Sequence, residues 1–166
     1  MPQLLVVHHS PGRSMAALLD AALEGTRDEL VAGVDVVVRD ALEATADDVL
    51  AADGYLLGTT ANFGYMSGAL KHFFDSTFLR VGGSLSPSGE ADGESQGATS
   101  GRPFGLYVHG RYDQTGAVRS VLSITGALDW RQAAQPVTVM GEVTPDVRAA
   151  VYELGATLAA VVTEGL

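Results

Sequence analysis

The sequence predicts an α/β protein built on one doubly wound, five-stranded parallel sheet, and three features carry that prediction. Short, unbroken apolar runs at residues 4–7, 55–57 and 104–108 read as strands covered on both faces. Helical stripes with three-and-four spacing follow each of them. Strand and helix signals alternate five times, and right-handed crossovers then favour the strand order 2-1-3-4-5. In that order the winding reverses between the first and third strands. Ligands of such sheets sit outside the carboxyl ends of the strands at that reversal.

The first strand, Leu4, Leu5, Val6 and Val7, runs into the turn His8, His9, Ser10, Pro11, Gly12, Arg13, Ser14. Met15, Leu18, Leu19, Ala22 and Leu23 make the first helical stripe, with Ser14 as the expected N-cap and Gly25 as the expected stop. Residues 34–38 form a second strand, interrupted by Asp35 and therefore expected at the periphery. Thr45 and Asp48 have capping-box spacing for a short helix. The third strand ends at Gly58, and Met66, Leu70, Phe73, Phe74 and Thr77 mark the helix after it, with Ser67 as its cap. Residues 82–102 break the composition: glycine, serine and acids dominate, and Leu85 is the one large apolar side chain, which reads as a flexible insertion. The fourth strand, a helix carrying Val118, Val121, Leu122 and Leu128, and a fifth strand at residues 136–140 complete the sheet. Thr144, Pro145 and Asp146 then start a last helix with a hydroxyl cap, a first-turn proline and an acid at the positive dipole end.

With 166 residues and 46% apolar content, the chain suits one domain, residues 1–166, with a substantial core. A net charge of −10 with Lys71 as the one lysine excludes a basic surface for nucleic acid. The absence of cysteine removes thiol catalysis, disulfides and thiolate metal sites. The start, MPQLLVVHHS, lacks the pattern of a signal peptide or a membrane span, so the expectation is a cytoplasmic protein without membrane attachment.

Three loops carry the chemistry. Ser10, Gly12 and Ser14 precede a helix whose open N–H groups and dipole favour an anion, and Arg13 adds a charged donor. Neither the nucleoside triphosphate nor the dinucleotide glycine fingerprint is present. Thr59 to Tyr65 mix small hydrogen-bonding groups with two aromatic rings, which suits a flat ring system with polar edges. His109, Gly110, Arg111, Tyr112 and Asp113 form a second polar and aromatic loop.

The turn S-P-G-R-S-M and the stretch T-T-A-N-F-G-Y-M-S-G-A-L-K-H-F-F-D resemble the flavodoxin-like superfamily, in particular its NAD(P)H-dependent FMN reductase and quinone reductase branch. The resemblance extends over nearly the whole chain in element order and implies a three-layer sandwich with FMN at the crevice. Carried to this sequence, it implies that Ser10, Gly12, Arg13, Ser14 and Met15 hold the phosphate. Thr60, Ala61, Asn62, Phe63, Gly64 and Tyr65 would line the isoalloxazine, and His109, Gly110, Arg111 and Tyr112 would close its other side. No side chain need be catalytic, because the flavin carries the chemistry. Arg111 would favour an anionic reduced ring and Asp113 would oppose it. The activity implied is transfer of reducing equivalents from NAD(P)H to a flavin, quinone or similar acceptor, with a redox partner protein as another acceptor and a homodimer as the expected assembly.

Other readings of the same residues stand beside this one. A flavodoxin-type electron carrier without NAD(P)H activity fits the same fold, and a cofactor-free interaction protein is a weaker fit. A phosphate-accepting receiver domain is set aside, because Gly58 and Thr59 stand where its aspartate belongs. Adjacent strand residues His8 and His9 point to opposite faces, so no metal site is expected from them. Lys71 and Asp75 make an ordinary helical pair, and Ser67 has no assignable base.

Overall fold

The computed structural model describes residues 1–82 and 97–166. The first strand, β1 (Gln3–His8), lies at the middle of the sheet between β2 (Asp35–Asp40) and β3 (Gly54–Asn62), parallel to both. Beyond β3 comes β5 (Pro103–Gly110), and β6 (Arg131–Gln132) and β7 (Val137–Met140) both pair with β5 in parallel. The expected order is therefore found, with the fifth strand in two pieces. Ala133 N–H still reaches Phe104 O at 2.9 Å, but Pro136 has no N–H to donate, so the ladder breaks before β7 resumes it. A further two-residue strand, β4 (Tyr65–Met66), pairs antiparallel with the end of β3.

Side chains of alternate residues feed two separate cores. Leu5, Val7, Tyr55, Leu57, Phe104, Leu106 and Val108 face α2 (Ala46–Ala51), α3 (Gly68–Val81) and α4 (Thr115–Ala127). Leu4, Val6, Leu56, Tyr107 and Val139 face α1 (Arg13–Thr26) and α5 (Pro145–Glu164). Helices thus cover both faces, giving a three-layer sandwich. Leu4, Leu5, Val6 and Val7 are all fully buried, each contributing about 2 kcal/mol before the entropy of ordering is subtracted.

Three of the expected caps form. Thr45 Oγ1 accepts from Asp48 N–H while Asp48 Oδ2 accepts from Thr45 N–H at 2.8 Å. Ser67 Oγ accepts from Leu70 N–H at 3.1 Å, and Thr144 Oγ1 from Val147 N–H at 3.3 Å. Ser14 is not a cap: α1 begins at Arg13, with extended Gly12 in the cap position and no side chain bonded to the first turn. Nor does Gly25 stop α1. It is buried one residue inside the helix end, where a Cβ would meet Tyr152 O of α5 at 2.0 Å. Gly155 of α5 repeats the arrangement against Ala22 O at 2.1 Å. The two helices touch backbone to backbone.

Of the stretch 82–102 expected as a flexible insertion, residues 83–96 lie outside the described residues. Its end, from residue 97, is packed. Thr99 is fully buried, donates to Val81 O at 3.0 Å and accepts from Trp130 Nε1 at 2.9 Å. Arg102 directs one guanidinium nitrogen to the carbonyls of Val49, Leu50 and Ala52 at the open end of α2 and to Tyr55 Oη. These contacts need a fixed backbone, which the glycine and serine content of the segment had concealed. No helix among the described residues is long and apolar enough to cross a membrane.

Candidate functional site

The winding reverses between β1 and β3, and β5 lies against the far side of β3, so the turns leaving these three strands sit side by side. Their levels are fixed by the register: His8 pairs with Gly58, and Thr60 with His109. His9 N–H donates to Gly58 O at 3.0 Å and ties the first turn to β3.

Two of the three predicted loops enclose one cavity of about 520 Å³. It is lined by Thr60, Ala61, Asn62, Phe63, Gly64, His109, Gly110, Arg111, Tyr112 and Asp113. That volume lies within the range of small-molecule sites. Larger hollows occur elsewhere, one of about 630 Å³ at the opposite end of the sheet and one of about 790 Å³ between α4 and β7. The smaller cavity is the candidate site because it lies at the carboxyl edge of the sheet, between the loops after β3 and β5 and next to the reversal. Tyr65 is not part of its wall, whereas Asp113 is.

The predicted loop from Thr60 to Tyr65 is a hairpin. β3 runs on past the sheet through Asn62, and Phe63 and Gly64 turn the chain with φ of 52° and 75°, so that Asn62 pairs with Tyr65. Two successive positive φ values define the tight turn whose twist matches paired strands. Gly64 adopts this freely, while Phe63 is in a region disfavoured for a bulky side chain. Its ring is fully exposed, as is most of Tyr112 across the cavity. The hairpin is held from below: a Cβ on Gly116 of α4 would lie 2.0 Å from Gly64 O.

On the far wall, His109 Nε2 lies 2.6 Å from Gly141 O. Asp113 Oδ1 accepts from Thr115 N–H at 2.9 Å, and bonding to Thr115 holds its carboxyl below the usual carboxylate value. Gly110 is buried, with Ala61 Cβ 3.0 Å from the position of a side chain, so the two walls meet closely at the floor.

The first predicted loop lies outside this cavity, one strand away. Ala16 N–H closes the first bond of α1 on Gly12 O at 3.0 Å, and the N–H groups of Arg13, Ser14 and Met15 meet no acceptor among the described residues. Gly12 and Arg13 are exposed. Met15 contributes backbone only, because its side chain is buried in the α1–α5 core. Ser10 Oγ lies 2.9 Å from His8 Nδ1.

Two side-chain oxygens among the described residues are buried without a partner: Thr60 Oγ1 and Tyr107 Oη. Both residues belong to the carboxyl ends of the strands, and alternation puts them on the α1 face of the sheet. A buried hydroxyl without a partner costs about 1–3 kcal/mol. Tyr107 escaped the sequence reading because it sits inside an apolar run.

No family model matches the chain. An 85-residue segment, 51% of the chain, is 31% identical to the flavodoxin of Aquifex aeolicus (strain VF5), and it spans 45% of that protein's length. Among solved structures, a flavodoxin from the domain Archaea matches with a TM-score of 0.76 at 14% identity, covering 96% of this chain and 98% of that one. The flavodoxin, WrbA-like protein from Agrobacterium tumefaciens matches with a TM-score of 0.73 at 15% identity, covering 99% of both chains. The chain has the flavodoxin-like fold.

Proposed function

We propose that the protein binds FMN and transfers electrons, as a flavodoxin-type carrier or a close functional relative. The observation that carries this reading is the cavity between the hairpin and the loop after β5, next to the reversal point and one strand from the open N–H groups of α1. Beside it, Ser10, Arg13, Ser14 and the first N–H groups of α1 would hold the phosphate. Phe63 and Tyr112 would offer ring faces, and backbone groups of residues 61–64 and 110–112 the polar edges. Bound there, FMN would supply the redox chemistry. The protein would supply position, exclusion of water from one ring face, and the charges of Arg111 and Asp113, which act in opposite senses on a reduced ring. The similarity to a flavodoxin sequence and to flavodoxin structures supports this class.

The finer reading is an NAD(P)H-dependent reductase passing electrons to a flavin, quinone or similar acceptor. Arg13 at the first residue of α1 and the open rim beside Phe63 and Tyr112 favour it, since a nicotinamide needs an uncovered ring face. Titration with FMN, followed by flavin fluorescence quenching, tests the shared premise: protein that retains no FMN sinks both readings. Anaerobic mixing of the loaded protein with NADH or NADPH then separates them. Rapid bleaching supports the reductase, whereas bleaching only under photochemical reduction supports the carrier.

A further inference from the structure

The groove of about 790 Å³ between α4 and β7 has no part in the flavin reading, yet it meets the candidate cavity at Asp113, which lines both. Its end nearest the cavity is built by Gly110 and Gln114. Gly110 has the alternation of Leu106 and Val108, which face α4, and its missing side chain leaves room for Gln114. A Cβ on Gly110 would lie 3.4 Å from both Cγ and Nε2 of Gln114. Gln114 Nε2 donates to Val139 O and lies 3.5 Å from Gly110 O. Both neighbours are carbonyls that can only accept, so the amide nitrogen must face them and Oε1 turns away from the strand ends.

Gln114 is only 6% exposed, so this orientation is held by packing as well as by hydrogen bonds. Its Oε1 accepts no hydrogen bond among the described residues. The unpartnered oxygens closed to solvent there are Thr60 Oγ1 and Tyr107 Oη, so Gln114 Oε1 is open to the groove that Gln114 lines. Beside it stands the carboxylate of Asp113. Val118 and Leu122, one turn apart on α4, make an apolar strip with Met140, which is 63% exposed. Arg119 follows Val118 in the wall, exposed and without an ion pair among the described residues. From Gln114 to Arg119 the helix rises about 7.5 Å. The groove thus offers acceptors at one end, an apolar strip, and a guanidinium beside that strip. A matching ligand has N–H donors on a flat apolar body and an anionic group a short arm away.

We propose that this groove is a nucleotide site: the exocyclic amine of an adenine donates to Gln114 Oε1 and Asp113, the base lies on the apolar strip, and the phosphate pairs with Arg119. The proposal goes beyond the FMN reading and does not depend on it. Two sources supply this chemistry. One is a free adenine nucleotide; the other is the adenosine end of a nicotinamide dinucleotide whose far end crosses Asp113 into the cavity.

The test is a titration of 15N-labelled full-length protein with adenosine monophosphate, without flavin and again after saturation with FMN. Saturable shifts of the Gln114 side-chain amide and of Arg119 Nε–H are expected in both. Inosine monophosphate sets an oxygen against the two acceptors and should bind about tenfold more weakly. Arg119→Ala, a surface change, should weaken adenosine monophosphate about tenfold and leave adenosine unchanged. NAD+ added to the oxidised, FMN-loaded protein separates the sources. Tighter binding than the monophosphate, with a change in flavin absorbance, assigns the dinucleotide; equal binding with an unchanged spectrum assigns the free nucleotide. Absence of saturable shifts at Gln114 and Arg119, equal affinity for the adenine and hypoxanthine nucleotides, an unaffected Arg119→Ala variant, or displacement by FMN each overturns the proposal. If FMN does not bind, the functional reading fails by itself, and the flavin-free titration still decides this one.

Discussion

The α1–α5 seam and the β3–β4 hairpin both depend on glycine, and for opposite reasons. At the seam, Gly25 and Gly155 are needed for what they lack, because any Cβ would drive into the backbone of the facing helix. At the hairpin tip, Gly64 has open space around it and is needed for its positive φ, and its neighbour Phe63 takes the same strained region without that licence. The seam therefore has a single geometry, enforced by rigid backbone on both sides. The hairpin spends conformational energy to hold an aromatic ring in solvent beside a cavity. Rigidity sits under the sheet and strain at its rim, the arrangement expected when a stiff scaffold presents a binding edge.

The largest expected effect would come from breaking the seam. Gly25→Ala places a methyl group 2.0 Å from Tyr152 O, a backbone atom that cannot rotate away, so urea unfolding should register a loss of about 3 kcal/mol. FMN affinity of the protein that remains folded should be unchanged. A variant as stable as the wild type would mean that the helices can slide apart, and the contrast drawn between the two regions would fail.

The opposite end of the same helix gives the next effect. Arg13 is exposed, has no ion pair among the described residues and contributes nothing to the seam. Arg13→Ala should leave unfolding unchanged and weaken FMN by about 2 kcal/mol if its guanidinium binds phosphate. Affinity within a factor of two of the wild type would remove Arg13 from the site.

How much of this was legible in the sequence follows the same division. Elements whose signal is a pattern were readable: the buried runs of β1, β3 and β5, and the caps at Thr45, Ser67 and Thr144, where a hydroxyl and the N–H that donates to it lie within one turn. Features decided by distant contacts were not. Gly25 resembles a helix stop until α5 is placed beside it, and Gly12 replaces Ser14 as cap because the turn enters the helix two residues earlier. The hairpin was hidden because Asn62-Phe63-Gly64-Tyr65 puts a bulky ring where the turn type favours asparagine or glycine. Of the cavity, the two loops that line it, after β3 and after β5, were legible from their composition, whereas the turn after β1 lies outside it. Tyr107 was not, since a tyrosine within an apolar run reveals an unpartnered hydroxyl only when Gly58 is seen beneath its ring. Nor could the spacing reveal that Thr99 and Arg102 anchor the end of a glycine-rich segment, because their partners are 18 to 53 residues away.

A smaller effect tests the support of the hairpin. Gly116→Ala would press on Gly64 O, but here one partner is a surface turn that can move. Stability should fall by less than in Gly25→Ala, while FMN affinity should drop roughly tenfold, about 1.4 kcal/mol, as the hairpin wall shifts. Equal loss of stability in both variants would show that the hairpin is as fixed as the seam.

The smallest effect has the opposite sign. Phe63→Asn puts a residue tolerant of the left-handed region before Gly64 and completes the favoured Asn-Gly pair for this turn. Relief of the strained φ and loss of an exposed ring should stabilise the ligand-free protein by about 1 kcal/mol. The same change removes an aromatic face from the cavity, so FMN should bind more weakly and the gain in melting temperature from added FMN should shrink. A variant both more stable and equally tight in FMN binding would show that the ring is dispensable and its strain unconnected to the flavin. A variant that loses stability would locate the cost elsewhere, in contacts made by the ring, which its full exposure argues against.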